Sequence, residues 1–235
     1  MFNGDFEHGG RFYGGWWIGL PSEFRKYIEI GRKHTVEVDF SAHHIRILYA
    51  KAGKRPPLDP YQIEDCPYSR DVLKQVFLIL INASGRESTI KACSQKGIKD
   101  AETILEFLVK HHQPISDYFH SGMGLVLQRE DSELAEEVML RMGDRGAVVL
   151  PVHDSFIVRA SFEDELYEVM EEVFSKRYGI PPAMKAKRTV LDSKKVQVGE
   201  DDLTVSKPVN PDLSELIKDL EKYSISRKIF GEKCI

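Results

Sequence analysis

At 235 residues, 42% of them hydrophobic, the chain suffices for one large domain, or one domain with an appendage, built on a buried core. No apolar stretch reaches bilayer length, and the amino terminus has acidic residues and glycines where a signal peptide needs a basic and then an apolar run. Cys66, Cys93 and Cys234 are too few and too scattered for a disulfide framework or a closed zinc site, so a globular, cytoplasmic protein with reduced thiols and no membrane partner is expected. A net charge of −4 argues against a protein that coats itself in nucleic acid, yet leaves room for a local basic stripe. Arg25, Lys26, Arg32, Lys33, Lys51, Lys54 and Arg55 are the candidates, with ordinary surface charge as the other reading.

In chain order, the first 20 residues are rich in glycine and aromatics, which suits an irregular segment packed against a larger body, and their abrupt start hints at sequence upstream. Thr35-Val-Glu-Val-Asp39-Phe-Ser41 reads as a buried strand ending on an acidic residue. Ile45, Leu48, Tyr49 and Ala52 then recur at helical spacing, predicting a helix over 41–51 with Ser41 near its N-cap, ended by Pro56, Pro57 and Pro60. Helices are predicted over 68–82 and 86–110, separated at Ser84-Gly85 and interrupted at Gly97, and again over 115–142. Val148 to Val158 forms a second apolar run turning at His153-Asp154-Ser155. Leu166, Val169, Met170 and Val173 mark an amphipathic helix over 162–177. Beyond residue 185 the sequence is lysine-rich and loses periodicity, apart from a short amphipathic stretch from Leu213 to Leu220 that suits a docking element or loose tail.

Asp39 and Asp154 carry the most information. Each lies at the polar end of an apolar strand, where a carboxylate is costly to bury unless a positive charge sits beside it, so two from distant strands suggest a shared cation. Magnesium suits a few carboxylates supplemented by phosphate and water. Strand-end aspartates also cap helices and brace turns, and that reading stays open for the pair taken alone.

The ordered landmarks around them extend the argument. Gly10-Arg11, Leu20-Pro21, Asp39-Phe-Ser-Ala-His-His44-Ile-Arg46, Arg70-x-x-x-Lys74, Gln128 with Met139, and His153-Asp154-Ser155 follow one another along the chain. This series resembles the polymerase domain of family A DNA polymerases, the polymerase I type, over roughly residues 9–178. Leu78, Asn82 and Ala83 stand where that family has phenylalanine, tyrosine and glycine. Ser155 matches the related single-subunit phage-type RNA polymerases, which carry His-Asp-Ser at that turn.

The resemblance implies an α/β (α+β) fold: a polymerase palm with a small antiparallel sheet, reduced helical fingers and no evident complete thumb. It divides the chain into an N-terminal palm part with the first catalytic aspartate (1–67), fingers-like helices (68–120), a C-terminal palm part with the His-Asp-Ser hairpin (121–185) and a C-terminal extension (186–235). It implies template-directed addition of dNTPs to the 3′-hydroxyl of a primed DNA template, with two Mg2+ ions, or Mn2+ in their place, held by Asp39 and Asp154 with Phe40 in the metal set. Arg70 and Lys74, one helical turn apart, would face the triphosphate, although such a pair is also what a solvated basic face looks like. Ser41 joins the nucleotide site. His44 stands where the family has a glutamate that excludes a ribose 2′-hydroxyl, unless it or His43 merely packs on its helix. Arg11 and Gln128 would follow the minor groove, and His153 would meet the primer terminus or brace its own hairpin. An upstream polymerase region or a replication partner is implied as a further partner. Two alternatives stand beside this reading: an RNA polymerase or primase, favoured by Ser155, and a non-catalytic nucleic-acid-binding palm, favoured by the missing fingers aromatic and tyrosine.

Overall fold

A computed structural model describes residues 10–188; the 213–220 stretch and Cys234 lie outside the described residues. A short helix α1 (Ser22–Arg25) leads into strand β1 (Thr35–Phe40) and helix α2 (His43–Lys51). Helices α3 (Arg70–Asn82), α4 (Arg86–Gln95), α5 (Ala101–His111) and α6 (Met123–Asp144) follow, with a 3-10 turn at Gln113–Tyr118 between the last two. The hairpin of β2 (Leu150–Val152) and β3 (Ser155–Arg159), helix α7 (Glu163–Tyr178) and β4 (Met184–Arg188) complete the fold.

The four strands form one antiparallel sheet in the order β2-β3-β1-β4, flanked by helices, an α/β architecture with a small sheet as the sequence predicts. Period-2 alternation sorts its faces. Val36, Val38 and Phe40 of β1, with Phe156 and Val158 of β3, are buried in the main core, where α7 packs on both strands. Thr35, Glu37 and Asp39 alternate with them, on the side where Ile157 meets Ile28, Trp17 and Leu20. The glycine- and aromatic-rich segment is stitched there by Trp17, whose Nε1 donates to the Pro151 carbonyl at 2.9 Å.

The helical layer follows from apolar stripes. Leu73, Val76, Phe77, Leu80 and Ile81 of α3 recur at helical spacing, and all are buried. Each contributes about 1.5–3 kcal/mol by leaving water. Ser69 caps α3, its hydroxyl accepting from the Val72 N–H at 3.4 Å, which starts the helix two residues later than predicted. At the other end α3 crosses α6 so closely that a Cβ on Gly124 would overlap the Asn82 side chain. In α7 Leu166, Val169, Met170 and Val173 are buried as read from sequence, with an acidic first turn and a basic last turn complementing the helix dipole.

Three local expectations change and one holds. Ser41 does not cap α2: Ala42, left-handed at φ 51°, takes the N-cap position with no side-chain cap bond, while the Ser41 N–H donates to the Ala183 carbonyl at 2.7 Å. The interruption expected at Gly97 within 86–110 is present, the chain breaking across Lys96 to Asp100 with Gly97 at φ 77°. The 115–142 helix breaks before Met123, where Gly122 has φ 69°. The lysine-rich stretch from Met184 forms β4, and three residues of the extension expected from 186 complete that strand. No helix among the described residues is long and apolar enough to cross a membrane.

Candidate active site

Antiparallel pairing brings the two aspartates together. Asp39, next to last in β1, stands opposite Ser155 of β3, and Asp154 occupies the turn just before that serine. The Phe40 N–H donates to the Asp154 carbonyl at 3.1 Å, fixing the turn against the end of β1. Burial, then the Asp154 carboxylate, push the Asp39 pKa up to about 6, with Lys187 and Lys74 acting in the opposite direction. Two carboxylates in this relation repel each other unless a cation lies between them. Phe40 itself turns its ring into the core, 4.8 Å from the His43 ring and stacked on it, so only its backbone is left to the site.

A cleft of about 670 Å3 opens over this pair. Asp39, Asp154, Phe40 and Ser41 form its floor, with Ala42, His43 and His44 where α2 begins. Ala42 adopts a left-handed φ without being glycine, and its helix start has no side-chain cap. Such strain costs about 1–2 kcal/mol. Opposite stand Arg70 and Lys74 from α3, with Leu78 one turn further. Lys74 is exposed. The Arg70 Nε donates to Asp59 at 2.7 Å, and its guanidinium lies 5.5 Å over the buried Tyr61 ring. Arg46, the arginine of the Asp39 motif, holds the loop that supplies Asp59, its Nη2 donating to the Leu58 carbonyl at 2.8 Å.

Arg11 also lines the cleft, but its Nη2 donates to Asp131 at 2.6 Å. Gln128 is half-buried on α6, outside the cleft wall. His153 likewise lies outside it, in the hairpin turn with φ 58°, its ring edge-on to Tyr13 at 6.0 Å. Burial, then the nearby Arg11, lower its pKa. Of the basic-stripe candidates, Arg25 pairs with Glu37 at 3.0 Å and Lys51 with Glu130 at 2.7 Å.

No protein-family model matches the chain, and no curated protein matches it. Among solved structures, the POL domain of Pol1 from M. smegmatis, in complex with DNA primer-template and dNTP, aligns over 65% of this chain at 14% identity and a TM-score of 0.40. The match spans 38% of that structure's chain, well under half its length.

Three features of the site escape a reading by motif. Lys185 and Lys187 of β4 line the cleft, opposite Asp39 and Glu37 in the strand register. Their signal is the alternation Met184-Lys-Ala-Lys187, a strand pattern with both lysines on one face. Glu37, buried two residues before Asp39, accepts from the Ser155 hydroxyl at 2.8 Å, with Lys187 3.7 Å away. Asp131 is the third. It falls on the apolar stripe of α6 with Leu127, Leu134, Ala135 and Val138, and a charged residue in such a stripe is almost never buried without partners.

Asp131 has three cationic or ring-nitrogen neighbours. One oxygen accepts from Arg11 and from His44 Nε2 at 2.9 Å, and the other lies 3.0 Å from His43 Nε2. Burial alone would raise its pKa, but the bonds and charges of His43 and His44 hold it well below the usual carboxylate range. Burial likewise works against a charged His43, and Asp131, then Asp154 and Asp39, outweigh it and raise the His43 pKa.

Proposed function

We propose that the chain is a divalent-metal-dependent, template-directed nucleotidyltransferase that adds dNTPs to a primer 3′-hydroxyl. The observation that carries this reading is the meeting of Asp39 and Asp154 at one end of the sheet, under a cleft whose opposite wall bears Arg70 and Lys74. The donor set fits magnesium: two hard carboxylates with incomplete charge compensation, and room for phosphate and water to complete a coordination shell. Bound divalent cations would lower the pKa of the attacking hydroxyl and neutralise the departing pyrophosphate.

The chain's own groups supply the rest. Asp39 and Asp154, with the Phe40 backbone, hold the cations at the sheet end. Lys74, Arg70 and the β4 lysines present fixed positive charge to the triphosphate, where negative charge builds during transfer. His44 walls the position of the sugar, and the helices within 68–120 act as reduced fingers.

Primer extension on a short primed DNA template with Mg2+, offering dNTPs and rNTPs separately, tests this. Extension in the wild type that disappears in Asp39→Asn and Asp154→Asn supports the reading. Template binding without extension by the full chain would contradict it and favour a non-catalytic palm.

A further inference from the structure

We propose that Asp131 is a positioning residue that sets the sugar choice of the site by locking the His44 ring in place. The proposal rests on the nucleotidyltransferase reading and deepens it. Three segments far apart in sequence meet at this carboxylate: the N-terminal segment through Arg11, the start of α2 through His43 and His44, and α6, which carries Asp131 itself. His43 in turn stacks on Phe40, the residue after Asp39, so the cluster is joined to the strand that carries the first carboxylate.

The chemistry at His44 is specific. Its Nε2 is committed to Asp131 at 2.9 Å and so carries the proton, and His44 is one of the residues that line the cleft. A histidine side chain has few torsions, and a bond to a buried carboxylate removes most of the remaining freedom. The locked ring is a fixed wall, and a fixed wall excludes a 2′-hydroxyl where a swinging one yields. Stability alone is a poor reason for the cluster, because buried ion pairs seldom outperform apolar packing of the same volume. Its place at the cleft wall gives it a use that packing would not.

The test is single-nucleotide incorporation by the full chain with a dNTP or the matching rNTP, comparing wild type, Asp131→Asn, His44→Phe, His44→Ala and the Asp131→Asn/His44→Ala double variant. The ratio of kcat/KM for dNTP over rNTP should fall about tenfold in each single variant, chiefly through a lower KM for the rNTP. The double variant should be no worse than either single one, the signature of two residues acting as one unit. His44→Phe keeps the ring volume and loses the bond, so it decides the matter even where Asp131→Asn folds poorly. An unchanged ratio in His44→Phe, or additive losses in the double variant, would overturn the proposal.

A wild type that incorporates neither nucleotide refutes the activity reading instead, and the clamp is then read directly. By 15N NMR the His44 ring Nε2–H should exchange slowly in the wild type and quickly in Asp131→Asn. A fast-exchanging proton in the wild type would overturn the clamp whatever the activity.

Discussion

Two acidic centres sit at opposite ends of one short path through α2, and they are opposites in electrostatics. Asp131 is buried among an arginine and two histidines, and its carboxyl stays ionised far below the usual range. Asp39 is buried beside another carboxylate, and its pKa climbs to about 6. The protein surrounds the first charge with positive or ring-nitrogen partners and leaves the second short. A carboxylate answered by the protein holds geometry; one left short calls for a cation from outside.

Four outcomes would break or sharpen that contrast. The largest effect is on activity: Asp154→Asn should lower primer extension by about a thousandfold or more, because transfer loses charge stabilisation at the reacting phosphate. Near wild-type extension in a folded variant would remove Asp154 from the metal set. Next, Asp131→Asn should cost about 3–5 kcal/mol in urea unfolding, since it leaves buried cations without their partner. A loss under about 1 kcal/mol would mean that the cluster is no tighter than a surface pair.

His112 extends the contrast to a second residue type. Like His43 it is buried, but its ring bonds the neutral Tyr49 hydroxyl at 2.9 Å, and burial, then His111, lower its pKa to about 4. A depressed pKa gives stability that is complete above the unfolded value near 6.5 and is lost as pH falls from there to 4. The loss should reach about 3 kcal/mol and vanish from the pH profile of His112→Phe. An identical acid limb in the variant would assign the loss to other groups. The smallest effect has the opposite sign to Asp131: Asp39→Asn should stabilise the metal-free protein at pH 7, by on the order of 2 kcal/mol, because it removes an ionised carboxylate the fold disfavours. Destabilisation there would erase the distinction between the two centres.

The legibility of this molecule in its sequence divides along the same line. Asp39 and Asp154 could be read because each ends an apolar run, and sheet pairing then brings strand ends together. The stripes of α3 and α7 were equally plain, since 3.6-residue periodicity is a local property. β4 was not, because Met184 to Arg188 contains no apolar run; it becomes a strand only by pairing with β1, and its lysines reach the site through that register. Ser41 looked like a cap, but the left-handed turn puts Ala42 in the N-cap position instead. Asp131 was hidden for a related reason. Its partners lie 87 and 120 residues away, and only the helix stripe on which it intrudes marked it.

Mn2+ titration followed by the free-ion EPR signal tests most directly whether Asp39 and Asp154 hold a cation at the sheet end. Wild type should take up Mn2+, and Asp39→Asn and Asp154→Asn should each weaken uptake at least about tenfold, as expected when one of two carboxylate ligands is lost. Equal uptake by all three proteins would contradict the assignment of Asp39 and Asp154 as the metal-holding pair.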